Sequence, residues 1–245
     1  MDYTETVEQL IHCPILAYHH FKDASGSDTD MSVSTTPQKL EKDLTTLLEK
    51  GYTPISLAQR YACAAGRAPW PSRPFICTMD DGYESNYLLA FPVLKRLGVH
   101  TDIFILTDYM GKQLGDLSHL SWEQASEMEQ SGLATMQAHG KQHLNNAELS
   151  MEEFHDNVFG CIEAIEQNLG KREYMAYAHP CAHYQEEKFQ YLHDRGIQNQ
   201  TMNFWLIKPF YLNCDIVARL VVGYEEDVLE NIEICKTGLR QRLLP

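Results

Sequence analysis

The feature that most constrains the fold of this 245-residue chain is a repeated pattern of helix, glycine and strand. A polar stretch with helical periodicity ends in glycine, and an apolar run rich in β-branched or aromatic residues follows within a few positions. A left-handed residue at the end of a helix favours glycine. Five segments show the pattern: Gly51 to Leu57, Gly98 to Leu106, Gly132 to His139, Gly170 to Pro180 and Gly196 to Trp205.

The predicted helix starts agree with this pattern. Thr36-Pro37 is typical of an N-cap followed by proline at the first helical position, and Ser121 and Ser150 each begin a capping-box sequence. The predicted helices cover residues 37–50, 84–97, 121–131, 151–169 and 185–195, with a kink at Pro92. Further strands are predicted near 14–20, 75–80 and 217–222, and the polar stretch 22–36 is expected to be an exposed loop.

This order of strands and helices implies right-handed crossovers between parallel strands. About seven or eight units favour a closed or nearly closed barrel. A doubly wound open sheet is the alternative, although no glycine-rich phosphate-binding loop supports it. Because no linker-like tract interrupts the chain, we expect a single domain over residues 1–245.

Charge and hydropathy restrict the partners. The 34 acidic and 20 basic residues give a formal net charge of −14 without a basic cluster, so nucleic acid and anionic lipid surfaces are not expected partners. No segment reaches the about 18 apolar residues of a membrane span, and the acidic N-terminus does not resemble a signal peptide. We expect a cytoplasmic protein, or an extracytoplasmic one if a leader has been removed. Its oligomeric state is open.

Seven scattered cysteines without a C-x-x-C pair indicate neither a zinc knuckle nor a disulfide framework. We expect them to be small buried apolar residues, except for Cys181.

Acidic and histidine residues follow three of the predicted strands. Asp80 and Asp81 follow PFICTM, His139 and His143 follow ATMQA, and His19 lies at the end of the first strand. In a parallel barrel, strand ends share one rim, where catalytic groups lie. Two adjacent carboxylates are costly to bury unless they share a proton or a cation. A metal site at this rim is therefore predicted.

One carboxylate and two imidazoles form a triad with open positions that suits Zn²⁺ or another first-row ion. Extended backbone would point one of the two carboxylates at the metal and the other at a substrate. A helical turn after Gly140 would bring both histidines to one side. The alternative is that Asp-Asp-Gly is a surface turn and the histidine spacing is accidental.

The segment from Thr78 to Tyr83, TMDDGY, resembles the T-F-D-D-G-[YF] motif of polysaccharide deacetylases with the NodB-homology domain. His139 to His143 resembles that family's H-[ST]-x-x-H motif, and residues 14–20, 51–57 and 176–180 resemble its first strand, second unit and Y-P-Y-G-type third motif. The resemblance covers nearly the whole chain. It implies a distorted (β/α) barrel of about seven parallel strands.

The resemblance also implies a hydrolase that removes acetyl groups from N-acetylated sugars of the N-acetylglucosamine type. Asp81, His139 and His143 would hold a divalent metal, with Zn²⁺ favoured and Co²⁺, Ni²⁺ or Fe²⁺ as alternatives. Asp80 would be the general base, and the metal would polarise the acetamide carbonyl.

The chain departs from the family at the third motif, where AHPC replaces the common R-P-P-Y. The backbone N–H of Cys181 can still serve an oxyanion, since it does not depend on the side chain. Arg219 resembles the arginine of a P-R-I-x-V segment in some relatives, and we predict that it pairs with Asp80 in place of the missing arginine.

The family's late L-x-H motif, which carries the general acid, has no match in residues 221–227. His19, His20, His179 and His183 are candidates to replace it, and we favour His19 because it ends the first strand. Tyr177 and Trp205 are predicted to stack on a sugar face, with core packing as the alternative.

Three other functions stay open at this point. The same site would serve an O-acetyl esterase or a cyclic amide hydrolase. The altered motifs also suit a catalytically impaired protein that only binds carbohydrate.

Overall fold

Seven parallel strands close into a barrel in the structure, a computed structural model that describes residues 7–8, 11–22, 34–182, 185–206, 216–222 and 227–244. The strands are β1 (Ile15–Tyr18), β2 (Pro74–Met79), β3 (Thr101–Ile105), β4 (Ala134–Ala138), β5 (Ala176–Ala178), β6 (Asn199–Asn203) and β7 (Ile216–Val221). Neighbours pair in chain order, and β1 pairs with both β2 and β7, which closes the ring. The predicted barrel is confirmed, and the open sheet is excluded.

The helices are α1 (Pro37–Glu49), α2 (Leu57–Ala64), α3 (Phe91–Leu97), α4 (Trp122–Gln130), α5 (Met151–Leu169), α6 (Glu186–His193) and α7 (Val228–Leu243). Four of them confirm the predicted helices at 37–50, 121–131, 151–169 and 185–195. The side chain of Thr36 caps α1, and the capping boxes at Ser121 and Ser150 are both formed. All five predicted glycines have φ between 64° and 90°.

Four elements differ from the sequence prediction. The strand expected after Gly51 is only Thr53–Pro54, paired beside the start of β2, because Ser56 forms a capping box with Gln59 and begins α2. The helix expected over 84–97 consists of a π-helix, Asn86–Ala90, followed by α3. Helices α2 and α7 were not predicted.

Two short strand pairs and three single-turn helices lie outside the barrel strands. His20–Phe21 pairs with Ser34–Thr35, and Gln113–Leu114 forms a hairpin with Leu117–Ser118. The single-turn 3₁₀ helices are Thr107–Tyr109, Pro180–Ala182 and Phe204–Leu206. Most of the loop predicted at 22–36 lies outside the described residues.

Alternation along the strands separates two apolar clusters. Ile15, Ile76, Phe104 and Val217 belong to a small cluster that we place inside the barrel. The intervening residues, such as Leu16, Cys77, Ile103 and Leu220, belong to the larger cluster under the helices. Successive side chains of a strand point to opposite faces, so a residue two or four positions after an inward-facing residue also points inward.

The described cysteines at 13, 63, 77, 161 and 235 are buried and unpaired, which confirms their prediction as small apolar residues, and Cys181 is exposed. Cys214 lies outside the described residues. None of the helices described is long and apolar enough to cross a membrane. That one domain extends over residues 1–245 stays a prediction.

Candidate metal and catalytic site

The site lies where the barrel strands end. Asp80 and Asp81 directly follow β2, His139 directly follows β4, and His19 directly follows β1. Arg219 lies near the end of β7, two positions after Val217, so its side chain also points into the barrel. Asp80 lies four positions after Ile76, so its side chain points to the same inward face, and the barrel brings these side chains together above its core.

A left-handed turn separates the two neighbouring carboxylates. Asp81 has φ of 68° and Gly82 has φ of 69°. A Cβ at position 82 would lie 2.9 Å from Cγ2 of Ile105, so both the backbone conformation and the close approach require glycine there. Non-glycine residues in this conformation are uncommon and concentrate at functional sites. The two carboxylates therefore diverge through a strained turn rather than through the extended backbone that we predicted.

Asp81, His139 and His143 converge as predicted. Oδ1 of Asp81 lies 3.4 Å from Nε2 of His139 and 3.7 Å from Nε2 of His143. One potential ligand atom from each residue lies within 4.8 Å of the other two. The segment after Gly140 is not helical, so the predicted helical turn is wrong. Instead, Asn157 holds this segment through bonds from the N–H groups of residues 141 and 142.

These three residues fit a divalent cation. Nδ1 of His139 donates to the carbonyl oxygen of Ala178 at 2.8 Å, which leaves the lone pair of Nε2 free to bind a metal. Oδ1 of Asp81 is buried and has no hydrogen-bond partner among the described residues. Burial raises the pKa of Asp81, but the neighbouring imidazoles, His139 foremost, outweigh burial and hold the pKa well below its ordinary value. One ionised carboxylate and two imidazoles suit Zn²⁺.

Asp80 forms a buried, bidentate ion pair with Arg219, the pairing predicted from the sequence. Nη1 and Nη2 of Arg219 donate to Oδ1 and Oδ2 at 2.6 and 2.7 Å. Nε2 of His19 lies 3.6 Å from Oδ2. Burial raises the pKa of Asp80, but the charges of Arg219 and His19 lower it more, so the pKa lies below its ordinary value. Asp80 is therefore ionised at neutral pH.

The π-helix holds His19 in place. Asn86 begins the π-helix and is fully buried, and its Nδ2 donates to the backbone carbonyl of His19 at 2.8 Å. π-Helical turns frequently occur at functional sites. This contact fixes the backbone from which the His19 imidazole reaches Asp80.

His179 does not fit the role of general acid. Its ring is buried, with Nδ1 facing the amide nitrogen of Asn146 at 3.1 Å and Nε2 facing Oε1 of Gln200 at 2.9 Å. Burial lowers the pKa of His179 to about 3, so at neutral pH this histidine is not an imidazolium and does not offer the acidic proton that a general acid needs. That alternative is therefore wrong. His20 packs edge-on against Tyr83. The fourth candidate, at position 183, lies outside the described residues.

Tyr177 is a core residue, so its predicted stacking on a sugar is wrong. Its side chain is fully buried, and its hydroxyl contacts the side-chain amide of Asn146. Trp205 is 40% exposed but lines a separate cavity of about 560 Å³ with Ile234. That cavity shares no lining residue with the cavity beside Asp81, and the stacking of Trp205 on a sugar stays a prediction.

Cys181 is exposed, has φ of 60°, and lies with Sγ 3.6 Å from Nδ1 of His143. The structure therefore places Cys181 beside a candidate metal ligand. That its backbone N–H stabilises an oxyanion stays a prediction.

The sequence interpretation missed two residues near the site. Lys188 is almost completely buried, and its Nζ donates to the carbonyls of Asn146 and Leu149, in the loop that connects His143 to α5. His119 lines a cavity of about 310 Å³ beside Asp81. His119 follows the short hairpin strand Leu117–Ser118 rather than one of the predicted barrel strands, so the strand-end rule did not select it.

Comparison with known proteins identifies the family of the chain. The sequence profile of the family described as polysaccharide deacetylase matches residues 68–200, more than half of the chain. YxkH of Bacillus subtilis, a polysaccharide deacetylase by name, is 26% identical over 191 residues, which are 78% of this chain and 64% of that protein. The poly-beta-1,6-N-acetyl-D-glucosamine N-deacetylase of Escherichia coli K12 is 29% identical over 135 residues, 51% of this chain and 20% of that enzyme. The matched region thus spans less than two thirds of each relative.

Solved structures share the fold. IcaB from Ammonifex degensii superposes with a TM-score of 0.76 at 20% identity, covering 92% of this chain and 97% of that one. The Streptococcus pyogenes deacetylase PplD, solved in complex with acetate, superposes with a TM-score of 0.75 at 19% identity, covering 95% and 98%. Together with the profile match over residues 68–200, these findings establish that the chain belongs to the polysaccharide deacetylase family.

Proposed function

We propose that this protein is a metal-dependent hydrolase that removes acetyl groups from the N-acetylglucosamine units of a polysaccharide. The observation that carries the proposal is the convergence of Asp81, His139 and His143 beside the buried, ionised Asp80. The Escherichia coli relative, named for its action on poly-β-1,6-N-acetylglucosamine, favours an amide rather than an ester as the bond that is cleaved.

Asp81, His139 and His143 would hold the cation, with Zn²⁺ favoured over Co²⁺, Ni²⁺ or Fe²⁺. When bound, such a cation would polarise the acetamide carbonyl and make a water molecule more acidic. The hydrogen bond to Ala178 keeps the His139 ring in the orientation and tautomer that this role needs.

Asp80 acts as the base in this proposal. Its lowered pKa keeps it ionised, and Arg219 fixes the plane of its carboxylate while leaving lone pairs free to accept the proton of the attacking water. The water oxygen bonds to the acetyl carbon, and the C–N bond then breaks. His19, 3.6 Å from Asp80, donates the proton that the leaving nitrogen needs. The backbone N–H of Cys181 would stabilise the carbonyl oxygen as it becomes negative.

Acetate release from oligosaccharides tests the proposal. The Zn²⁺-loaded protein is expected to release acetate from β-1,6-linked N-acetylglucosamine oligomers or from chitooligosaccharides. Asp80→Asn should lower kcat by about 10²- to 10⁴-fold, because it removes the proton acceptor. Asp156→Asn is the matched control, since its side chain is 69% exposed and lies on α5, and it should leave kcat unchanged.

Other outcomes would favour the alternatives. Acetate release from acetylated xylan alone would support an O-acetyl esterase, and ring opening of a cyclic amide would support a cyclic amide hydrolase. Zn²⁺ binding without acetate release from any of these substrates would support a carbohydrate-binding protein.

A further inference from the structure

The backbone between the two candidate metal ligands His139 and His143 is irregular. Gly140 has φ of 105°, and residues 139–145 form neither helix nor strand. The side chain of His143 is 41% exposed, so packing against the core does little to fix its imidazole. The position of His143 therefore depends on how the backbone before it is held.

All four backbone polar groups of the two middle residues, Lys141 and Gln142, are hydrogen-bonded. The carbonyl oxygen of Lys141 accepts from the N–H of Asp108 at 2.9 Å. The other three groups bond to one residue of α5, Asn157. Its backbone carbonyl accepts from the N–H of Lys141 at 2.8 Å. Its Oδ1 accepts from the N–H of Gln142 at 3.0 Å, and its Nδ2 donates to the carbonyl oxygen of Gln142 at 3.3 Å. A single asparagine thus fixes both peptide groups of Gln142.

Asn157 is itself firmly anchored. It lies inside α5 and is only 3% exposed, so bulk water does not compete for its hydrogen bonds. Its helical neighbours Phe154, Val158 and Cys161 are buried in the core. Asparagine is a weak helix former, and a buried amide without partners is costly. The two side-chain bonds to the loop account for an amide at this position.

Gly140 allows the close approach of this amide. A Cβ at position 140 would lie 2.6 Å from Nδ2 of Asn157 and 3.0 Å from the carbonyl oxygen of Gln142. Glycine stands here where the H-[ST]-x-x-H pattern has serine or threonine. The Asn157 amide therefore occupies the space that a side chain at position 140 would need.

We propose that Asn157 is a positioning residue for the metal group: its amide sets the backbone from which His143 reaches the cation, and it thereby strengthens metal binding. The inference rests on the proposed function, because that function assigns a cation to Asp81, His139 and His143. Asn157 acts through the loop and does not touch the cation or the substrate. Its contribution is therefore measurable as metal affinity, without any turnover.

Asn157→Ala removes both side-chain bonds and leaves a residue that favours the helix. In competition calorimetry with chelator-treated protein, it is expected to weaken Zn²⁺ binding about tenfold. Asn168→Ala is the matched control, since Asn168 is an exposed residue of α5 whose amide donates to Ala164 within the helix. Its Zn²⁺ dissociation constant should stay within about twofold of wild type.

A second control separates positioning from general stability. Ile165 is fully buried in α5, and Ile165→Val should lower the midpoint of urea unfolding while leaving the Zn²⁺ dissociation constant unchanged. If Asn157→Ala does not fold, Gly140→Ala replaces it. Its Cβ displaces the Asn157 amide from the loop, and it should weaken Zn²⁺ binding by about threefold or more.

A double-mutant cycle with His143 tests the route of the effect. If Asn157 acts through this ligand, Asn157→Ala should change Zn²⁺ affinity by less than about twofold in a His143→Ala protein, although it costs about tenfold in the wild type. A merely structural role would lower the affinity by the same factor in both proteins.

Two results would overturn the inference: wild-type Zn²⁺ affinity in a folded Asn157→Ala protein, or an equal loss of affinity in the two backgrounds of the cycle. The acetate assay keeps the proposed function separate. If Asn157→Ala weakens Zn²⁺ binding as expected but the wild-type protein releases no acetate, the proposed function fails and the role of Asn157 stands. If the wild-type protein releases acetate and Asn157→Ala binds Zn²⁺ normally, the function stands and this inference fails.

Discussion

Replacing Arg219 by methionine tests how strongly the site depends on its buried ion pair. The side chains of Arg219 and Asp80 are only 4% and 5% exposed, and two bonds of 2.6 and 2.7 Å join them. Water therefore screens the pair little, and methionine would leave a buried carboxylate without its main countercharge. Breaking a buried pair in this way costs about 3–5 kcal/mol. We expect Arg219→Met to lower the free energy of unfolding by that amount.

Urea unfolding of chelator-treated proteins measures this cost. Two further variants complete a double-mutant cycle: Asp80→Asn alone and Asp80→Asn combined with Arg219→Met. Because asparagine carries no charge, the double variant should recover about half or more of the loss, which gives a coupling energy above about 1.5 kcal/mol. Arg96→Met is the control, since its pair with Glu41 is half exposed and is worth less than about 1 kcal/mol.

A small effect would refute this reasoning. If Arg219→Met costs less than about 1 kcal/mol, or if the two single effects add within about 0.5 kcal/mol, the pair does not stabilise the site as its geometry indicates. If the methionine variant does not fold, Arg219→Lys replaces it. Lysine keeps the charge but not the bidentate contact, and it should cost less than methionine in the same cycle.

Four further predictions concern the surrounding structure. Gly82→Ala should destabilise the protein by more than about 2 kcal/mol in thermal unfolding, because its Cβ meets the buried Ile105, whereas Gly98→Ala, with no atom within 4 Å, should cost about 1 kcal/mol. His179 takes up a proton near pH 6.5 when the protein is unfolded but only near pH 3 when it is folded. The free energy of unfolding should therefore fall by about 2 kcal/mol between pH 6.5 and pH 5 because of this residue, and His179→Gln should remove that contribution. Lys188→Met should weaken Zn²⁺ binding about tenfold in calorimetry, because two loop carbonyls lose their donor. Zn²⁺ at 100 times its dissociation constant should stabilise the wild-type protein by about 2.7 kcal/mol, and an unchanged melting temperature would contradict a metal site.

The sequence predicted the local structure where short-range signals were strong. The caps at Thr36, Ser121 and Ser150 were correct because a cap depends on a hydrogen bond within three residues. Two weaker signals were misread. The segment after Gly51 contains β-branched residues typical of a strand, yet the capping box at Ser56 starts a helix there. In α7, no cap or glycine signal was recognised, although Asp227 caps it.

Some of the candidate site was also accessible from the sequence. Side-chain alternation along β2 and β7 gives Asp80 and Arg219 the same inward direction, although 139 positions separate them in the chain. The same alternation predicts that Tyr177 does not point towards the candidate site. It lies between the inward-facing residues Ala176 and Ala178, so its ring points to the helices.

The sequence by itself determined the alternation of strands and helices, the strand-end positions of the acidic and histidine residues, and the chemistry of a carboxylate with two imidazoles. Only the tertiary structure decided the left-handed turn at Asp81, the burial of His179 and the position of His119 in the cavity wall. The physical reason is the distance along the chain over which each interaction acts. Caps, periodicity and turn preferences act within a few residues, whereas burial, ion pairing and cavity shape depend on which strands and loops meet when the barrel closes.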